Sequence, residues 1–97
     1  MIIRWMPLAE QDLDAAYDYV RQDNSNAAKR LVARIFSVVG MLMRHPLAGR
    51  DGRVHGTREL VVARTPYVIA YRLRQDEIQI LAVIHGAQRW PASFTSN

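Results

Sequence analysis

The sequence predicts an α+β domain of order β-α-α-β-β-β, a helical hairpin packed on a small antiparallel sheet. Three observations lead there. Residues 7 to 44 carry apolar side chains at helical spacing, broken once at Asn24-Ser25-Asn26. Residues 58 to 84 hold three runs rich in β-branched and aromatic residues, separated by Thr65-Pro66 and Gln75-Asp76-Glu77. The chain has 97 residues, 49% of them hydrophobic. A chain this short buries roughly 60–68% of its unfolded surface, enough for one core. One domain is expected over 1–97, with its core at about 2–91 and a tail at 92–97.

Ile2-Ile3-Arg4-Trp5-Met6 reads as a short strand closed by Pro7. Pro7 then opens a helix at a first-turn position, where its missing N–H costs nothing. Glu10 and Asp12 suit the positive end of that helix. Ala9, Leu13, Ala16 and Val20 form one apolar stripe ending near Asp23. Asn24-Ser25-Asn26 supplies a break and a cap for a second helix, expected from about Asn26 to Arg44. That helix carries two stripes, Ala28-Leu31-Ile35-Val38-Leu42 and Val32-Phe36-Val39-Met43. A hairpin lying on a sheet uses both, whereas a partner could claim the second. Gly40 costs about 1 kcal/mol against Ala in a helix, which suggests a close backbone approach there. Pro46 ends the helix. A basic loop follows from Leu47 to Gly56, and strands are then expected at Arg58–Val62, Tyr67–Arg74 and Ile78–Ile84. The last is apolar on both faces, as an inner strand should be.

Composition excludes several functions. There is no cysteine, so disulfides, thiolate zinc sites and Cys nucleophiles are ruled out. Met1 to Pro7 read as too short and too interrupted for a signal peptide, and no apolar run approaches the ~20 residues of a membrane span. A cytoplasmic location is the expectation. Residues 1–43 balance their charges. Residues 44–97 set eight arginines against Asp51, Glu59, Asp76 and Glu77, which accounts for the whole net charge of +4. Arginine forks onto carboxylates and phosphates, so an anionic partner, nucleic acid or acidic protein, competes with a merely solvated basic surface.

His45, His55 and His85 lack metal-ligand spacing, and neither a metal nor any other cofactor is expected. Gly49-Arg50-Asp51-Gly52 lacks the strand–loop–helix setting of a phosphate loop. What remains is an Arg/His set on the sheet and its rim. By strict alternation His85 shares a face with Gln79, Leu81 and Val83, and Arg64, Arg72 and Arg89 come within reach of one rim. Such a set could cleave RNA without metal. His85 would move protons while the arginines stabilise the phosphorane. Equally, His85 caps a strand end and the arginines are solvated or paired.

Gly56-Thr57-Arg58-Glu59-Leu60-Val61-Val62, Pro66-Tyr67-Val68-Ile69-Ala70-Tyr71-Arg72 and Ile80 to Pro91 together resemble the RelE/ParE superfamily of bacterial toxins. Ala9 to Leu13 with Tyr17, Ala28 to Leu31, and Pro46 to Arg50 extend the likeness from about Ile3 to Pro91. The resemblance implies the toxin of a type II toxin–antitoxin module, some of which serve plasmid stabilisation. A cognate antitoxin would neutralise it, lying on Val32, Phe36, Val39 and Met43, and operator DNA would be reached only through that antitoxin. RelE-like members cut mRNA on the ribosome and ParE-like members poison DNA gyrase. RelE-like toxins place an Arg where this chain has Val68, so the ParE side is favoured. Arg50, Arg53, Arg58, Arg64, Arg89 and Trp90 would then meet the target. The alternatives are a ribosome-dependent mRNA endoribonuclease using His85 with Arg64, Arg72 or Arg89, and an inactive toxin retained for antitoxin binding and operon autoregulation.

Overall fold

A computed structural model describes residues 1–94; positions 95–97 of the expected tail lie outside the described residues. The elements are β1 (Ile2–Trp5), α1 (Pro7–Arg21), α2 (Ser25–Met41), β2 (Arg50–Asp51), β3 (Arg58–Val61), β4 (Tyr67–Arg74) and β5 (Glu77–His85). They form two helices over one five-stranded sheet of order β1-β5-β4-β3-β2. Pro7 stands at the first position of α1, and the Asn24 side chain caps α2 by accepting from the Ala27 N–H at 3.0 Å. Both helices stop two or three residues before their expected ends. Past Met41 the backbone tightens, with the Met43 N–H on Gly40 O and the Arg44 N–H on Met41 O, before Pro46 forbids continuation.

The expected antiparallel sheet is corrected in one respect. β3, β4 and β5 form the antiparallel meander, but β1 pairs parallel to β5, with Ile3 opposite Ile78 and Trp5 opposite Ile80. The sheet is therefore mixed. Four residues of alternating pattern carry no sign of strand direction, which here is set by the helical hairpin returning the chain across the sheet. The loop also holds an unexpected two-residue strand, β2, paired with Arg58 and Glu59.

The core lies between the hairpin and one sheet face, where Ala9, Ala16, Leu31, Ile35, Val39 and Leu42 pack on Ile69, Tyr71, Ile78, Ile80 and Val83. The far face is covered differently. Residues after His85 turn back over it, and Trp90 and Phe94 pack on Ala70, Ala82 and Ile84. The first apolar stripe of α2 is thus spent inside. The second divides, because Val39 is 2% exposed while Phe36, against Trp5 at 5.5 Å, and Met43 remain about half exposed. Gly40 contradicts its expectation: a Cβ there would meet nothing within 4 Å. Glycine at that position serves no packing need visible in the fold.

A bulge sets the positions of the site residues. Tyr71 pairs with Ile80 and Ala70 with Ala82, leaving Leu81 as an extra residue in β5. One inserted residue reverses the alternation beyond it. Gln79 therefore shares the far face with Ala82 and Ile84, whereas Val83 and His85 turn toward the helices. Past the end of β1, β5 has a free edge, and Asp12 of α1 closes it by accepting the Val83 N–H at 3.0 Å.

Candidate functional site

The bulge separates the Arg/His set. His85 sits opposite Tyr67, their rings edge-on at 5.5 Å. A cleft of about 220 Å³ opens beside it, lined by Tyr19, Val20 and Leu31 of the hairpin and by Arg64, Tyr67 and His85. Arg64 reaches the cleft from the β3–β4 turn, where it adopts a left-handed backbone with φ 65°. Gly86 donates to Pro66 O at 2.7 Å, which ties this turn to the end of β5. The imidazole Nδ1 accepts from the Ala87 N–H at 3.1 Å, and the His85 N–H donates to Gln88 Oε1 at 3.2 Å. Among the described residues no carboxylate hydrogen-bonds or ion-pairs with His85. Burial, followed by the neighbouring Tyr19, pushes the Tyr67 phenol above its ordinary range, so it stays a neutral group at physiological pH. The cleft thus assembles one imidazole, one guanidinium and two phenols.

Arg72 is not part of that cleft. It lies on the opposite face, 8% exposed, with its Nε on Gln79 Oε1 at 2.7 Å. Gln79 in turn donates to Glu77, whose carboxylate also receives Arg4 at 2.8 Å. Arg89 lines a separate hollow beside Leu8, Asp12 and Phe94. The single-rim cluster expected from alternation is therefore corrected: Arg64 and His85 meet, while Arg72 and Arg89 stand elsewhere. The cause is Leu81.

The other arginines divide by what already holds them. Glu59 is 3% exposed, and its carboxylate takes the Arg53 backbone N–H at 2.7 Å, Arg53 Nε at 3.1 Å and an Arg50 nitrogen at 3.4 Å. Burial alone would raise its pKa. The Arg53 and Arg50 hydrogen bonds outweigh that and hold it below the ordinary carboxylate range. Arg53 also stacks on Trp90, 3.7 Å from the ring centroid. Arg58 donates to Gly49 O at 2.7 Å. Arg64 and Arg89, by contrast, are exposed and make no ion pair among the described residues.

Sequence reasoning missed three anchors. Glu59 was visible only as a countercharge, since nothing in one chain says that two loop arginines will close over a strand carboxylate. Asp12 looked like a helix-dipole residue. Tyr71 accepts the Gly49 N–H and donates to Pro46 O, both at 2.8 Å, so it pins the end of the hairpin to the sheet. Among the described residues no group of three His, Asp or Glu side chains could hold a metal ion, and no helix is long and apolar enough to cross a membrane.

Comparison with known proteins agrees over nearly the whole chain. The family model described as ParE toxin of type II toxin–antitoxin system, parDE, matches residues 3–90. A protein of Sinorhizobium fredii that carries the toxin name Y4kP is 46% identical over 89 residues, 92% of each chain. Toxin RelE2 of Caulobacter vibrioides is 36% identical over 84 residues, covering 87% of this chain and 91% of its own. A solved chromosomal ParDE toxin–antitoxin system from P. aeruginosa superposes with a TM-score of 0.78 at 35% identity, over 88% of this chain and 95% of that one. The two-helix, five-strand architecture, the ordered strand motifs and these relatives agree: the chain belongs to the ParE family of type II toxin–antitoxin toxins.

Proposed function

We propose that this toxin halts bacterial growth by binding DNA gyrase, without a catalytic residue of its own, until a cognate antitoxin occupies it. The observation that carries the reading is Val68. It is 7% exposed on the far face of β4, at the position where RelE-like nucleases resemble one another in having Arg. The surface beside it is apolar, with Ala70, Ala82 and Ile84 under Trp90 and Phe94. Metal-free RNA cleavage needs a base, a cation and an acid converging on one phosphate. Here His85 and Arg72 stand on opposite faces, and the far-face carboxylate Glu59 is neutralised by two arginines. The likeness to the P. aeruginosa toxin–antitoxin system supports an antitoxin partner. Phe36, Met43 and the rim of Val32 offer it an apolar strip, to which Val39 cannot contribute because it is buried. Arg64 and Arg89, free of ion pairs among the described residues, are the favoured target contacts.

The test is a supercoiling assay with purified gyrase. His85→Ala should remain folded and block supercoiling as the unmodified chain does. Complete loss of the block by a folded His85→Ala chain would sink the non-catalytic reading.

One observation favours a second reading. Arg64 and His85 share a cleft, and the likeness to Toxin RelE2 points the same way. A ribosome-dependent endoribonuclease would then work from this cleft. It requires discrete cuts in ribosome-bound mRNA after induction, and intact messages would rule it out.

A further inference from the structure

β4 runs past its last pairing with β3, at Tyr71 opposite Arg58, by the three residues Arg72, Leu73 and Arg74. The loop between β2 and β3 folds over this open edge and leaves a groove of about 470 Å³. Arg58, Arg72 and His55 line it, with Asp51 also present and Leu47 and Leu73 as apolar walls.

Arg72 is the unusual member. It is more than nine-tenths buried, yet among the described residues its only hydrogen bond goes to a neutral amide, Gln79. The nearest carboxylate in that chain of contacts, Glu77, is occupied by Gln79 and Arg4. The rest of the guanidinium is not sealed in, since none of its nitrogens is buried without a partner and the side chain lines the groove, so its free N–H groups are open there to an anion. Burial, followed by the neighbouring Arg74, pulls the Arg72 pKa downward from its ordinary value. On the neighbouring strand Glu59 satisfies Arg50 and Arg53, so the want of a carboxylate at Arg72 is local.

The geometry points to a phosphate-binding groove in which Arg72, Arg58 and His55 hold the phosphate of a nucleotide. The guanidinium fork and the imidazole N–H are suited to phosphate oxygens. Leu47 and Leu73 offer a wall for a base, and Asp51 can accept from a sugar hydroxyl. The phosphate can come from a free nucleotide or from the backbone of DNA, since the same groups recognise both. Such a groove is independent of gyrase binding: it belongs to the isolated chain, and a toxin that blocks supercoiling without binding nucleotide would overturn the groove alone.

The test is titration of the full ¹⁵N-labelled chain with inorganic pyrophosphate, adenosine diphosphate and a short DNA duplex, followed at the backbone amides of Gly52, Gly56 and Thr57. These amides should shift. Arg72→Gln should weaken binding by about tenfold or more, the scale of a charge-assisted hydrogen bond. His55→Ala, at an exposed position, should weaken it by about threefold. Comparable binding of diphosphate and duplex would identify a free-nucleotide site, and shifts with duplex alone a backbone site. No shift at these amides with any probe would overturn the inference. So would equal affinity in His55→Ala and the unmodified chain, an outcome readable even if Arg72→Gln fails to fold.

Discussion

The Arg53 guanidinium carbon lies over the Trp90 ring, 3.7 Å from its centroid, while its Nε holds the buried Glu59 carboxylate at 3.1 Å. One arginine thereby connects three parts of the chain: the basic loop, the far face of β3 and the segment that folds back across that face. The contact helps to close that face, where Trp90 packs on Ala70, Ala82 and Ile84.

Trp90 should matter through its ring rather than its N–H, since its Nε1 is buried without a partner among the described residues. Trp90→Ala should cost about 1–3 kcal/mol, from the lost packing on Ala70, Ala82 and Ile84 and the lost cation–π contact. Trp90→Phe should cost less than about 1 kcal/mol, because it keeps a ring and removes the unpartnered donor. Urea denaturation of both variants checks the order.

Glu59 and Asp12 should respond to pH in opposite senses. Glu59 has its folded pKa depressed, so its stabilisation is present above the ordinary carboxylate value of about 4.3 and fades as pH falls through the folded value. Glu59→Gln should lose about 1–3 kcal/mol at neutral pH, the range for charge-assisted hydrogen bonds, and converge on the unmodified chain in acid. Chemical denaturation across pH 3 to 7, on the order of this titration range, reads the convergence.

For Asp12, burial raises the folded pKa and the Val83 N–H lowers it less. The protonated acid is the favoured form, so its advantage is full below the unfolded value of about 3.9 and is lost as pH rises through the folded value. Asp12→Asn keeps an acceptor for Val83 without the half-buried charge and should be at least as stable as the unmodified chain at neutral pH. Asp12→Ala leaves the Val83 N–H unpartnered and should cost about 1–3 kcal/mol. Thermal unfolding of the two variants at pH 7 should separate them in that order.

The two helices and the four main strands were legible because each has a strong period and a breaker at its ends: Pro7, Asn24, Pro46, Pro66 and Gln75-Asp76. The ordered motifs around Leu60, Tyr67 and Ile80 were specific enough to indicate the family. The composition of the site was legible in part, since Arg64 and His85 do share a cleft. Its faces were not. Ile78 to Ile84 is apolar on both sides, so alternation gave no warning that Leu81 is extra and that His85 and Arg72 part company there. The role of Gly40 was hidden for a related reason: a glycine in a helix looks the same whether it faces a neighbour or open solvent.

Two glycines test that distinction. Gly40→Ala should stabilise the isolated chain by up to about 1 kcal/mol, the difference in helix propensity, because the added methyl meets nothing. Gly49→Ala should destabilise it, since its Cβ would stand 2.6 Å from the Tyr71 ring and 2.9 Å from Glu59 O. The expected loss is about 1–3 kcal/mol, typical of overpacking. Melting temperatures moving in opposite directions would bear this out.

The measurement that tests the gyrase reading most directly is pulse labelling of DNA and protein synthesis in bacteria just after induction of this chain without its antitoxin. DNA synthesis should fall first while translation continues, and His85→Ala should leave that order unchanged. Translation falling first, with discrete cuts in ribosome-bound mRNA, would contradict it and transfer the activity to the Arg64–His85 cleft.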